Sequence, residues 1–166
     1  MDTITTALAD VSTADWLKVI AVLVAAVGLF LNARQHRKAN DQRRVDNVSD
    51  VFKDIYNDSE LADIYYKIEY REFEYNNEFH RSDEEKKLDK LISSFDILAK
   101  KYYLGLVRLK DIELVSYEYL VIYQNPEVQE YFQFLDDWFD RRGIKNPPFD
   151  KFRSLGKVLE GRDYRA

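Results

Sequence analysis

Residue types that carry out catalysis or bind metals are few in this chain and far apart. The 166 residues include two histidines, His36 and His80, and no cysteine. This composition excludes most zinc sites, which need several His or Cys ligands close together. The five glycines are isolated, so no glycine-rich loop could hold a phosphate, and no Gly-x-Ser-x-Gly nucleophile motif occurs. We therefore predict a protein that is not an enzyme and that uses no cofactor.

One acidic cluster could hold a divalent cation. Asp136 and Asp140 are four residues apart, so both carboxylates would lie on one face of a helix. Alternatively, this is an ordinary solvated surface on which Asp137 pairs with Arg141. We favour the second interpretation and predict no metal site. An anchored enzyme that uses these carboxylates is the weakest functional hypothesis.

The stretch from Trp16 to Ala33 has the clearest structural meaning. Residues 19–31 include no charged or strongly polar side chain. As a helix, Trp16 to Ala33 would cover about 27 Å, close to the roughly 30 Å hydrocarbon core of a bilayer. We predict a transmembrane helix over residues 14–33, with the Lys18 amine reaching the headgroups. A buried core helix and a cleaved signal peptide are the alternatives.

Charge sets the predicted orientation. Acidic residues precede the apolar stretch, whereas a basic cluster follows it: Arg34, Arg37, Lys38, Arg43 and Arg44. A signal peptide has the reverse order, and positive charge stays in the cytoplasm. We therefore predict an external N-terminus and lipid-headgroup contacts for the basic cluster, worth about 1 kcal/mol per residue. Residues 45–166 carry 26 acidic and 19 basic side chains, so broad nucleic-acid binding is not expected.

Hydrophobic spacing predicts an all-α protein, in which the transmembrane helix continues into a cytoplasmic bundle of about five further helices. The first helix is expected to reach residues 51–56, because no glycine or proline lies between Gly28 and Gly105. Later helices are expected near residues 60–75, 83–104, 111–121, 126–142 and 150–159, with N-caps at Ser59, Ser82, Asp111, Asn125 and Asp150 and a capping box of Ser82 with Glu85. The inner stripe of the helix at 83–104 is predicted to be Leu88, Leu91, Ile92, Phe95, Leu98, Ala99 and Tyr102. Other residues predicted to face inward include Val45, Phe52, Leu114, Leu120, Val121 and Val158. The predicted organisation is an external arm (1–13), a transmembrane helix (14–33), a basic juxtamembrane helix (34–56) and a cytoplasmic helical domain (57–166).

Small and polar residues recur along one side of the first helix. At steps of three and four they are Lys18, Ala21, Ala25, Gly28 and Asn32. Small residues let membrane helices approach closely, and polar ones bond across the interface. This seam favours a homo-oligomer, and three or more copies could enclose a narrow aqueous path with polar rings at Lys18 and Asn32. A dimer without a pore, or an ordinary anchor whose alanines align by chance, are the alternatives.

The chain is rich in aromatic residues, with twelve tyrosines and ten phenylalanines. Most fall on predicted inner helix faces and are explained by an aromatic core. Four tyrosines fit those faces poorly: Tyr66, Tyr70, Tyr75 and Tyr119. Because exposed aromatic side chains anchor interfaces, these four are candidates for a surface that binds a cytoplasmic protein or a small signal ligand.

The segment 94–139 reads SFDILAKKYYLGLVRLKDIELVSYEYLVIYQNPEVQEYFQFLDDWF. It resembles an uncharacterised family of bacterial single-span membrane proteins with a helical cytoplasmic domain. The resemblance implies cap positions at Gly105 and Asp111 and core positions at Leu104, Val107 and Leu109, and it supplies no catalytic residue. Proteins of similar build also act as membrane effectors in bacterial antiphage systems, which is an analogy of architecture alone.

Two functional hypotheses follow. The first is a bacterial inner-membrane protein that self-associates through its first helix and acts as a pore-forming or membrane-disrupting effector of antiviral defence, controlled by its cytoplasmic domain. The second is a passive membrane-anchored protein-interaction module, in which the span only tethers the domain.

Overall fold

The computed structural model describes residues 13–162, with side chains from residue 16. Within this range the chain forms seven α-helices and no strand, which confirms the all-α prediction. The helices are α1 (Thr13–Asn57), α2 (Ser59–Glu69), α3 (Asp83–Tyr103), α4 (Leu109–Ile112), α5 (Ser116–Tyr123), α6 (Pro126–Asp140) and α7 (Asp150–Glu160), with a 3₁₀ turn at Glu113–Val115. The predicted arm at 1–13 lies outside the described residues, apart from Thr13 at the start of α1.

Contacts divide the chain into two units between Arg43 and Arg44, inside α1. In the first unit, every described side chain from residue 16 to residue 43 is exposed. The second unit, which we call the helical domain, has a core of its own made of apolar side chains from all of its longer helices. The end of α1 contributes Val48, Val51 and Ile55 to this core. Val45 and Phe52, also predicted to be inward, are 40% and 39% exposed.

Helix α3 is the central element of the helical domain. Six residues of its predicted inner stripe are fully buried: Leu88, Leu91, Ile92, Phe95, Leu98 and Ala99. The seventh, Tyr102, is half-buried and packs against the core. Ser82 Oγ accepts a hydrogen bond from the Glu85 N–H at the start of the helix, as predicted. The Glu85 carboxylate accepts from the Arg81 N–H instead of the Ser82 N–H, so the capping box is only half formed. Gly105, with φ of +72°, follows the end of α3 and confirms the predicted C-terminal stop.

The starts of α2 and α7 differ from prediction. Asp58, and not Ser59, caps α2 by accepting from the Glu60 and Leu61 N–H groups. The predicted Asp150 cap of α7 is also wrong, because Asp150 is the first residue of that helix. The buried Asp96 of α3 replaces it by accepting from the Phe152 N–H at 2.8 Å. A carboxylate from another helix therefore caps α7 and joins it to α3.

Helix α2 ends at Glu69, six residues before the predicted end. Arg71 adopts a left-handed conformation with φ of +61°, and the Glu72 N–H then bonds back to the Lys67 carbonyl. This is a helix stop of the kind that glycine usually provides. Because arginine has ordinary helix propensity, nothing in the sequence indicated a helix stop at Arg71.

Several predicted core or cap positions lie elsewhere. Asp111 is the third residue of its short helix, where its carboxylate accepts from the Arg108 N–H, so it is not the N-cap. Leu104 is 73% exposed, whereas Val107 is buried and Leu109 packs against the core, as the family resemblance implies. Leu114 and Val158, predicted to be buried, are 61% and 38% exposed.

Candidate functional site

The apolar part of α1 has no covering within its own unit. Its large hydrophobic side chains are half to two-thirds exposed, with Leu23 at 59% and Phe30 at 67%. By length and composition, α1 is the one helix among residues 13–162 that could cross a membrane, and none of its most apolar window is buried. Leaving such surface in water is unfavourable by about 25 cal/mol per Å², so lipid or another protein must cover it.

Gly28 is the residue of the seam that the surrounding chain explains least. A Cβ atom at this position would meet no other atom within 4 Å. Its backbone is also ordinary, because Gly105 and Gly143 are the glycines found with positive φ. Glycine inside a helix is unfavourable by about 1 kcal/mol relative to alanine. The other seam residues, Lys18, Ala21, Ala25 and Asn32, lie on the same exposed helix, and their role in association stays a prediction.

The basic cluster divides into two parts. Arg34, Arg37, Lys38 and Arg43 are exposed, as headgroup contacts require. Arg44 is different, because its side chain is 13% exposed and its Nε donates to Asp111 Oδ2 at 3.1 Å. Asp111 also accepts from the Arg108 N–H, so it connects the end of α1 to α4. We therefore correct the prediction for Arg44, which is part of the helical domain's own packing.

Two of the four predicted surface tyrosines are exposed. Tyr66 is 41% and Tyr70 is 68% exposed, and their rings stack with centroids 6.1 Å apart. Tyr56 continues the row at 6.4 Å from Tyr66, and the Phe52 ring lies 4.6 Å from Tyr56. We call these four residues the aromatic strip. The strip offers an exposed aromatic surface, and its use by a partner stays a prediction.

The other two predicted surface tyrosines are inside the helical domain. Tyr119 is fully buried, its hydroxyl donates to the Phe152 carbonyl at 2.7 Å, and its ring stacks on Phe152. Assigning Tyr119 to the surface was therefore wrong. The 3₁₀ turn before α5 changes the helical phase, so the buried face of α5 includes Tyr119 and Ile122 rather than Leu120 and Val121. Tyr75 is half-buried and bonds to His80.

The acidic cluster shows no metal-binding arrangement. Asp136 makes two contacts to Arg153 Nη1, at 2.9 and 2.8 Å. Arg141, predicted to pair with the Asp137 carboxylate, donates from Nε to the backbone carbonyl of Asp137. No group of His, Cys, Asp and Glu side chains suited to a metal ion occurs in the described part of the chain.

A cleft that sequence reasoning did not find lies between α3 and α6. Its volume is about 840 Å³, within the usual range for small-molecule sites. Both carboxylates in its lining, Glu85 and Asp89, come from α3, and most of its apolar lining comes from α6. Tyr131 is its most deeply buried residue, at 1% exposed, and donates to Asp89 Oδ1 at 2.8 Å. Burial is the main reason why the pKa of Asp89 is above its usual value; the Tyr131 hydrogen bond partly opposes this rise.

His80 is held on one wall of the cleft by both ring nitrogens. Nε2 lies 2.8 Å from the Tyr75 hydroxyl, and Nδ1 lies 3.2 Å from Glu85 Oε1. The His80 ring is also 3.9 Å from that of Phe134, centroid to centroid. The only sequence signal for this site was that Tyr131, Phe134 and Trp138 recur on one face of α6.

No protein-family model matches this chain, and no curated protein or solved structure shows detectable similarity to it. The family resemblance of residues 94–139 therefore stays a prediction.

Proposed function

We propose that this protein is a single-span protein of the bacterial inner membrane that self-associates through α1 and forms a pore or disrupts the membrane. Its helical domain would lie in the cytoplasm and control the assembly, as in an antiphage effector. The observation that carries the proposal is that every apolar side chain between residues 16 and 31 is exposed. A domain with its own closed core does not need this stretch for folding.

The basic residues after the stretch support the proposed orientation. Arg34, Arg37, Lys38 and Arg43 are all exposed immediately beyond the apolar side chains. Short basic segments stay on the cytoplasmic side of a membrane, and anionic lipid attracts them. The N-terminus would then be outside and the helical domain inside. Protease treatment of intact spheroplasts should leave the helical domain intact, and its digestion would contradict this orientation.

The seam supports self-association over a simple anchor. Gly28 serves neither a positive φ nor a close contact within its own unit, so close approach of a second helix is a physical reason for it. Parallel copies would bring the Lys18 side chains together and the Asn32 side chains together. Polar groups at both ends of a seam of small residues suit a narrow aqueous path when three or more copies assemble.

Two adjacent alanines provide a matched test. Ala25 lies on the seam, whereas Ala26 is about 100° away around the helix. We expect Ala25→Leu to reduce ion leakage from liposomes reconstituted with the full-length protein, because the larger side chain separates the helices. Ala26→Leu adds the same atoms on another face and should leave leakage unchanged. Equal leakage from both variants and the wild type would contradict the seam, and no leakage from the wild type would contradict the pore.

The aromatic strip favours a second candidate function, a passive membrane-anchored interaction module. Tyr66 and Tyr70 are exposed side chains of a type that is enriched at protein interfaces. In this case α1 only tethers the domain, so an unrelated transmembrane helix in its place should preserve function. Loss of function after such a replacement would argue for the first candidate.

A further inference from the structure

The cleft between α3 and α6 combines an aromatic lining with carboxylates near Tyr131 and an arginine near Trp138. Tyr131, Phe134 and Trp138 follow one another on one face of α6, and the first and last are about 10 Å apart along the helix. Phe149 and Leu135 add further apolar lining. An aromatic lining suits a planar ring, because nucleobases stack on aromatic side chains.

At the Tyr131 end, the cleft offers hydrogen-bond acceptors more than donors. Asp89 Oδ1 accepts from the Tyr131 hydroxyl, whereas Oδ2 has no donor within residues 16–162. Glu85 is already occupied by the Arg81 N–H and by His80. Asp89 Oδ2 therefore calls for a ligand with an N–H group, and because Oδ1 can accept a second hydrogen bond, two adjacent donors suit this carboxylate best.

At the Trp138 end, the cleft offers one positive charge, that of the exposed Arg142. Arg81 is also exposed, but its backbone N–H donates to Glu85, near Tyr131. The Arg142 guanidinium lies over the Trp138 ring, 3.4 Å from the centroid, and Nη1 donates to the Trp138 carbonyl at 3.4 Å. Stacking on Trp138 holds this cation at the edge of the cleft and leaves it N–H groups for an anion.

We propose that this cleft binds a guanine nucleotide. Guanine has two adjacent donors, N1–H and the N2 amino group, which match the open Asp89 carboxylate. Its ring packs against the aromatic lining that α6 provides, and its phosphate meets Arg142. Adenine offers one donor and one acceptor at the corresponding edge, so it binds less well. The site belongs to the helical domain and does not depend on what α1 does in a membrane.

Calorimetric titration of the detergent-solubilised full-length protein tests the proposal with GMP, AMP, guanosine and choline as probes. We expect GMP to bind more tightly than AMP by about tenfold or more, because a charge-assisted hydrogen bond is lost with adenine. Guanosine should bind more weakly than GMP, because it has no phosphate for Arg142. Absence of GMP binding at millimolar concentration overturns the proposal, as does tighter binding of choline, which would identify a site for organic cations.

Matched variants test which residues bind the base and which bind the phosphate. Asp89→Asn should weaken GMP binding about tenfold and reduce the preference over AMP, whereas Asp137→Asn on the outer face of α6 should change neither. Arg142→Gln should bring the GMP affinity down to that of guanosine, and Arg141→Gln should have no effect. The exposure of Arg142 means that its replacement leaves the fold intact. Equal GMP affinity in all four variants overturns the proposal.

Discussion

Leu29 and Leu104 are almost equally exposed, at 71% and 73%, but they lie in regions of opposite character. Around Leu104, the helical domain buries its apolar side chains in a core that includes α2, α3, α5, α6 and α7. Around Leu29, every neighbouring side chain on α1 is exposed as well, and nearly all are apolar. A single exposed leucine is normal on any protein surface. A continuous exposed apolar stretch is unusual and is typical of a surface that a membrane or another protein covers.

The comparison shows that the two regions depend on different surroundings. The helical domain is stabilised by contacts within the chain, which include the Asp96 cap of α7 and the Arg44–Asp111 ion pair. The apolar side chains of α1 between residues 16 and 31 are exposed instead, so their surroundings decide how favourable that exposure is. Substitutions that are chemically alike should therefore have different effects in the two regions.

The largest effect is expected in the core of the helical domain. Phe152 is fully buried and touches the rings of Phe95, Tyr119 and Phe132, so Phe152→Ala should lower the free energy of unfolding by about 3–5 kcal/mol. Phe52, which is 39% exposed, provides the control, and Phe52→Ala should lower it by less than about 1 kcal/mol. Urea unfolding of the detergent-solubilised protein, followed by near-UV circular dichroism, measures both. Equal losses would show that the core is wrongly described.

A smaller effect is expected for a charge placed in the span. Leu23 and Leu114 are 59% and 61% exposed, so the two substitutions differ only in region. Leu23→Asp should reduce membrane insertion, because an aspartate at the centre of a transmembrane helix is unfavourable by about 3 kcal/mol. Leu114→Asp should leave insertion unchanged. The measurement is the fraction of each variant that stays in the membranes after an alkaline carbonate wash. Equal retention of the two variants would contradict a spanning helix.

The smallest effect is expected when alanine replaces Gly28 or Gly156, the two glycines that lie within the described helices. A Cβ atom at Gly156 would overlap the Tyr123 ring, lying 2.6 Å from its Cγ, so Gly156→Ala should destabilise the helical domain by about 1–3 kcal/mol. Gly28→Ala meets no atom of its own chain and should leave the stability of the domain unchanged. Chemical unfolding monitored at Trp138 measures both variants. A loss of domain stability in Gly28→Ala would mean that the two regions are not independent.

Local signals in the sequence predicted much of the helical domain. The stripe of α3 and the Asn125–Pro126 start of α6 depend on neighbouring residues, and both are confirmed. The errors arose where a distant residue decides the outcome. Asp96 caps α7 from 56 positions away, and a 3₁₀ turn sets the phase that buries Tyr119.

The two candidate sites differ in the same way. The apolar stretch of α1 is contiguous in the sequence. Its hydrophobic composition, and the acidic residues before it and basic residues after it, could therefore be recognised from the sequence alone. The cleft combines residues of the loop before α3, two helices and the segment before α7, and only tertiary folding brings them together. Spacing on α6 alone could not distinguish its aromatic lining from core residues.

The central claim is that copies of α1 cover one another in the membrane. The most direct measurement is the mass of the detergent-solubilised full-length protein, determined by light scattering with the detergent contribution subtracted, beside the same chain starting at Asp41. The account predicts a closed assembly of three or more copies that becomes a monomer when the span is removed. A monomer in both cases would contradict self-association through α1 and leave an anchored module.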